Sequence, residues 1–211
     1  MKIETIVVGP FEVNCYLVIS KEDNGGVIID PGADEYDIFR AIEKTGMIPK
    51  AILLTHGHGD HIAAVGPVQE KFNIPLYLGK GDESMLESPE KNVSAIFGFD
   101  VVCPKPDYLV EDNDLINIDK LAFSVFATPG HTPGGVCYYI GKYLFCGDTL
   151  FNGSIGRTDL PGGNYEQLIE SIDRSLLSLP DDIICYPGHG PMTTIGAERK
   201  SNPFLTGRRF V

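Results

Sequence analysis

The chain holds five histidines, and every one falls in a motif bordered by glycine, proline or another candidate ligand. His56, His58 and His61 lie in Thr55-His56-Gly57-His58-Gly59-Asp60-His61. His131 follows Thr128-Pro129-Gly130, and His189 sits in Pro187-Gly188-His189-Gly190. Histidines used for packing or surface polarity would be scattered. These are grouped in three distant stretches, so the fold must gather three loops at one place. The chemistry they point to is metal binding.

Histidine nitrogen with carboxylate oxygen suits zinc, and also iron or manganese. His56 and His58 are two residues apart, and Asp60 and His61 follow at once. On a turn between a strand end and a helix start, such residues can diverge toward two adjacent ions. Gly57 and Gly59 let the backbone bend sharply there. The apolar run Ala51-Ile52-Leu53-Leu54 reads as a strand buried on both faces, and it runs directly into this motif. Asp148 follows the strand Tyr143-Leu144-Phe145-Cys146 at Gly147, and His189 follows a strand ending at Tyr186. Each candidate ligand therefore sits just past a strand C-terminus, where one shared sheet edge would collect them. Cys146 shares the strand face of Asp148 but lies roughly 7 Å further from that edge, which argues against it as a ligand.

The rest of the chain reads as strands over 2–8, 14–20, 26–30 and 76–78, with a helix over 34–45 stopped by Gly46. A helix from His61 to about residue 72 is expected, then a helix and a covering loop within 80–106. The second half is richer in strands, at 115–118, 121–127, 135–140, 143–145 and 182–186, with a helix over 164–177. From Pro191 the reading is a short polar tail with one helical turn. Phe97, Phe99, Tyr108 and Tyr138 are candidates for an apolar pocket wall or for core. The pattern as a whole gives two sheets face to face with helices outside, and no linker divides the chain.

A net charge of −12 argues against a nucleic-acid partner, which needs a basic surface. No apolar run approaches the ~20 residues that span a bilayer, so no membrane partner is expected. The N-terminus lacks a signal-peptide pattern. The five cysteines are spread out and odd in number, which suits buried thiols in a cytoplasmic protein better than disulfides.

The combined motif set resembles the metallo-β-lactamase-fold hydrolases over nearly the whole chain. The resemblance rests on the His-x-His-x-Asp-His stretch, then on Asp30 in Asp30-Pro31-Gly32, His131, Asp148 in Gly147-Asp148-Thr149, and His189. It implies an α/β fold, a four-layer αββα sandwich over residues 1–211 as one domain. It also implies two divalent metal ions, zinc first, with iron or manganese as alternatives. His56, His58 and His131 would hold one ion. Asp60, His61 and His189 would hold the other, with Asp148 bridging and Asp30 orienting a ligand histidine. Two metals about 3.5–4 Å apart can share a hydroxide, because a bound water has its pKa lowered toward ~7. That hydroxide would attack a carbonyl carbon, with Asp60 as the catalytic residue that aims it.

With every histidine assigned to metal, none is spare as a general acid. A thiolate, with a conjugate-acid pKa near ~8.5, leaves with little such help, so a thioester is favoured over an amide. The stretches 147–159 and 188–196 look like short bacterial glyoxalase II, which hydrolyses S-D-lactoylglutathione. The expected partner is thus a small-molecule acyl-thiol. Arg157 matches a basic residue that this family directs at a glutathione carboxylate, and the alternative for it is an ion pair with Asp159. A persulfide dioxygenase on the same fold is the second reading, with one iron on His56, His131 and Asp148.

Overall fold

The computed structural model describes residues 1–207, so the last four residues of the expected tail and domain lie outside the described residues. Alternation within the strands decides the layers. In β2 (Val13–Ile19), Tyr16 and Val18 point one way while Cys15, Leu17 and Ile19 point the other, and all are buried. A strand covered on both faces must lie inside a sheet with packing on each side.

The first sheet runs in the order β1 (Lys2–Val8), β2, β3 (Gly25–Ile29), β4 (Ile48–Leu54), β5 (Leu76–Gly79) and β6 (Tyr108–Val110). Its first three strands pair antiparallel, and β3 to β6 are parallel. The second sheet comprises β7 (Leu115–Ile118), β8 (Leu121–Ala127), β9 (Val136–Ile140), β10 (Tyr143–Gly147), β13 (Ile184–Pro187) and β14 (Thr193–Thr194). Its order is β14-β13-β10-β9-β8-β7, parallel only between β10 and β13. The short pair β11 (Leu150–Phe151) and β12 (Ser154–Ile155) stands apart as a hairpin.

Three apolar layers hold these parts together. Tyr16, Val27 and Leu53 of the first sheet meet Phe123, Tyr138 and Phe145 of the second between the sheets. Outside the first sheet, Leu17, Ile28 and Ile52 pack on α1 (Glu35–Thr45) and α3 (Val65–Phe72) through Ile38, Ile42, Val65 and Val68. Outside the second, Cys137, Leu144 and Cys185 pack on α4 (Tyr165–Ser171) through Leu168 and Ile169. The result is the expected αββα sandwich. Each large core side chain contributes about 1.5–3 kcal/mol by leaving water.

Several elements differ from the sequence reading. The single helix expected from His61 is two, α2 (Gly59–Ile62) and α3, with a break at Ala63–Ala64. Pro67 explains the break, since its ring would clash with the carbonyl of residue 63 in a continuous helix. Restarting at Val65 puts it in a first turn, where no N–H is needed. The helix expected within 80–106 does not form. Two 3₁₀ turns stand there, Lys80–Met85 and Ser94–Phe97. The C-terminal stretch is more ordered than a polar tail, with α5 (Ile195–Ser201) and α6 (Pro203–Thr206) capped by the side chains of Thr194 and Asn202. Tyr138 is core, its hydroxyl donating to the Leu54 carbonyl at 2.8 Å. Tyr108 stacks on Tyr77, away from the pocket.

Candidate metal centre

The donors stand just past strand ends, as the sequence reading placed them, though two of those strands run one or two residues further than expected, to Gly147 and Pro187. His56 and His58 follow β4, His131 lies between β8 and β9, Asp148 follows β10, and His189 follows β13. The structure brings all of these together with Asp60 and His61. The donor atoms of His56, His58 and His131 lie within 4.8 Å of one another, as do those of Asp60, His61 and His189. Asp148 stands between the two sets. One oxygen is 3.5 Å from His61 Nε2, and the other is 3.5 Å from His131 Nε2 and 3.6 Å from His189 Nε2.

The orientation of each ring is fixed from behind. His61 Nδ1 meets Asp30 Oδ2 at 3.0 Å, His131 Nδ1 the Arg157 carbonyl at 2.7 Å, and His189 Nδ1 the Phe11 carbonyl at 2.8 Å. The Thr55 hydroxyl donates to Asp30 at 2.6 Å, which leaves its oxygen to accept from His56 Nδ1 at 3.1 Å. Each of these four rings is thereby held to present Nε2 to the centre, the arrangement that tunes a metal-ligating histidine. A third close group, Asp30 with His56 and His61, is of another kind. Asp30 already accepts from the Thr55 N–H, the Thr55 hydroxyl and His61, so it orients rather than ligates.

His56 Nε2, His58 Nε2, His131 Nε2 and Asp148 Oδ1 are buried with no hydrogen-bond partner. A buried polar atom left unpaired costs about 1–3 kcal/mol. Four of them in one cluster of side chains, all nitrogen or carboxylate oxygen, are the donor types of a transition-metal site. The residues present fit the implied metals.

Electrostatics divide the cluster. Burial pushes the His56 imidazole well below 6.5, and burial with the neighbouring His131 takes His58 down to about 3. Both are neutral at pH 7 with lone pairs free. For His61 burial acts in the same direction, but Asp60, Asp148 and Asp30 reverse it and raise the ring to about 10. Burial would raise the Asp60 carboxyl, yet His61 and His189 drive it well below the usual carboxylate range. Asp60 is therefore ionised and acts only as an acceptor.

Gly188 is required by close approach. A Cβ there would run into Asp148 Oδ1 and stand 2.7 Å from His61 Cε1. Cys146 turns away from the site, its thiol reaching the Leu150 and Tyr186 carbonyls in the outer core. All five cysteines are free and buried. Arg157 lines the cavity in front of the cluster, with its Nε and Nη2 on the Asp159 carboxylate at 2.8 and 2.9 Å.

One residue of the site escaped the sequence reading. Asp82, fully buried in the 3₁₀ turn after β5, accepts from the Gly57 N–H at 2.9 Å, the Thr132 hydroxyl at 2.7 Å and the Gly134 N–H at 2.6 Å. It thus ties the loop bearing His56 and His58 to the loop bearing His131. Locally it reads as one acid in a Gly-Asp-Glu-Ser turn, with no signal that it faces inward.

The sequence pattern of the metallo-beta-lactamase superfamily matches residues 8–189, and the chain belongs to that superfamily. A probable metallo-hydrolase of Bacillus subtilis, YqgX, is 42% identical over 98% of this chain and 99% of its own length. The hydroxyacylglutathione hydrolase GloC of Haemophilus influenzae is 41% identical, over 99% of this chain and 100% of its own. Among solved structures, BLEG-1 B3 metallo-beta-lactamase superimposes with a TM-score of 0.93 at 43% identity, covering 98% of this chain and all of that one. TTHA1623 in a di-iron-bound form gives 0.84 at 40% identity, over 96% and 100%. Fold, donor cluster and relatives together define a metallo-hydrolase. Among the described residues no helix is long and apolar enough to cross a membrane.

Proposed function

We propose that this chain is a metal-dependent thioester hydrolase acting on acyl-thiols of the S-D-lactoylglutathione kind. The observation that carries the reading is the pair of donor sets on either side of Asp148, with the Nε2 atoms of His56, His61, His131 and His189 turned inward. His56, His58 and His131 would hold one ion and Asp60, His61 and His189 the other, with Asp148 reaching both. Asp30 would fix His61. When bound, two divalent ions supply a nucleophilic hydroxide at neutral pH and a Lewis acid for the carbonyl oxygen. Ionised Asp60 accepts a hydrogen bond from the attacking water and aims it. Arg157 offers a guanidinium to a carboxylate on the thiol side. The products are a carboxylic acid and a thiol: the C–S bond breaks as the C–O bond forms, and the thiolate takes its proton from solvent. Likeness to GloC supports this choice of substrate, and so does the lack of a spare histidine to protonate an amine.

The test is metal content by mass spectrometry on protein purified without added metal, with turnover measured on the same sample. Close to two metals per chain with hydrolysis of S-D-lactoylglutathione is the expected result. Hydrolysis of a β-lactam but no thioester would overturn it. So would one iron per chain with persulfide-dependent oxygen uptake, the reading that uses His56, His131 and Asp148.

A further inference from the structure

The cavity before the cluster has a volume of about 610 Å³, and most of its lining residues away from the donors are apolar. Phe97 and Phe99 stand in its wall with Phe11, whose ring meets Phe97 edge to face at 4.9 Å between centroids. All three remain about 40–50% exposed, at 46%, 47% and 38%. Aromatic surface left open at the mouth of a cavity is a place where an apolar ligand gains by leaving water. The segment presenting it is held in place, not loose. Asn92 donates from its side chain to the Met85 and Val101 carbonyls at 3.1 and 2.9 Å, and its own carbonyl takes the Gly59 N–H at 2.8 Å. The aromatic wall is thereby tied directly to the loop that carries His58 and Asp60.

Val93, next in the chain, lines the cavity with a φ of 59°. Left-handed backbone favours glycine or asparagine, and a β-branched residue there is strained. The chain nonetheless places an isopropyl group at this point, beside the phenylalanines. Charge tells the same story. Among the described residues lining the cavity, Arg157 is the one lysine or arginine, and Asp159 already neutralises it.

We infer that the site takes thioesters carrying an apolar chain, seated against Phe11, Val93, Phe97 and Phe99. The inference rests on thioester hydrolysis as the activity of the site. The chain could reach the slot from the acyl side or the thiol side, and the experiment separates these.

One arm measures kcat/KM for acetyl, butyryl, hexanoyl and octanoyl thioesters of N-acetylcysteamine. The other measures acetyl thioesters of methyl, butyl and hexyl thiol. In the arm that enters the slot, kcat/KM rises about three- to fourfold for each of the first added methylenes, as burial of one CH₂ predicts. In the variants F97A and F99A that slope becomes shallower. A second readout uses no turnover: calorimetry of the S-hexyl thioether of N-acetylcysteamine on protein as purified shows tighter binding than the S-methyl thioether, with a negative heat-capacity change. Hydrolysis with flat dependence in both arms, or equal binding of the two thioethers, would overturn the inference while leaving the thioesterase reading intact. Hexyl-selective binding with no thioester turnover at all would sink that reading instead and leave an apolar-ligand site on another activity.

Discussion

Replacing Asp82 tests whether a carboxylate that touches no candidate ligand assembles the centre. Its two oxygens serve three donors, two of them backbone N–H groups on separate loops. In D82A the N–H groups of Gly57 and Gly134 lose their acceptor while the Thr132 hydroxyl can turn elsewhere. Each orphaned buried donor costs about 1–3 kcal/mol. Burial disfavours the Asp82 carboxylate and raises its pKa, so part of the loss is returned when the charge is removed. The expected net is about 3 kcal/mol for alanine. In D82N the amide oxygen keeps Gly57 and Thr132, and the NH₂ faces only Gly134, so about half that loss is expected. Urea titration reads this as a fall in midpoint at constant slope. Because the carboxylate grips both loops that carry His56, His58 and His131, metal retention against a chelator should weaken by about 10–100-fold in either variant. D82A within about 0.5 kcal/mol of the parent, or unaltered metal retention, would refute the argument.

Other perturbations have equally definite outcomes. Gly188→Ala pushes a methyl into Asp148 and His61, so it should abolish turnover and metal uptake together while circular dichroism stays native; retained metal would count against the geometry. Stability of the metal-free chain should peak near pH 6.5. His58, lowered to about 3 in the fold, contributes stability that is full above 6.5 and is lost as pH falls toward 3. His61, raised to about 10, contributes stability that is full below 6.5 and is lost as pH rises toward 10. A urea midpoint that climbs steadily through pH 9 would contradict this. Metal loading at pH 7 should release protons from His61, measurable by calorimetry in buffers of different ionisation enthalpy, and buffer-independent heats would speak against it. Asp159→Asn frees Arg157 and should lower KM for S-D-lactoylglutathione by up to about fivefold, the worth of an exposed ion pair. An unchanged KM would remove Arg157 from substrate binding.

The gathered loops could be read from the sequence because the ligand motifs share a local grammar: an apolar strand followed closely by glycine and polar donors. Asp30 was visible through its Asp-Pro-Gly turn. The layers followed from runs such as residues 51–54, too apolar to leave either face in water. What could not be read depends on tertiary partners. Asp82 is one acid among several until the loop before β9 brings Gly134 against it. α5 is polar in composition and is fixed by a cap, by buried Glu198, which takes the Thr193 hydroxyl at 2.5 Å, and by Ile195. No apolar periodicity announces it. The break at Ala64 needed weight given to Pro67 over the apolar pattern around it.

His189 has a further meaning for how the molecule comes into being. Its ring is braced by the Phe11 carbonyl, and Asn14 and Tyr16 of β2 hold the Pro187 carbonyl just before it. These contacts join positions more than 170 residues apart. A chain emerging from the ribosome offers the His56 loop more than 130 residues before His189, the last of the donors in sequence. Closing so long a span is slow, and it comes after most local structure. A nascent chain that has passed His131 but not His189 holds one full donor set without the other, so the second ion becomes a seal placed on the assembled fold.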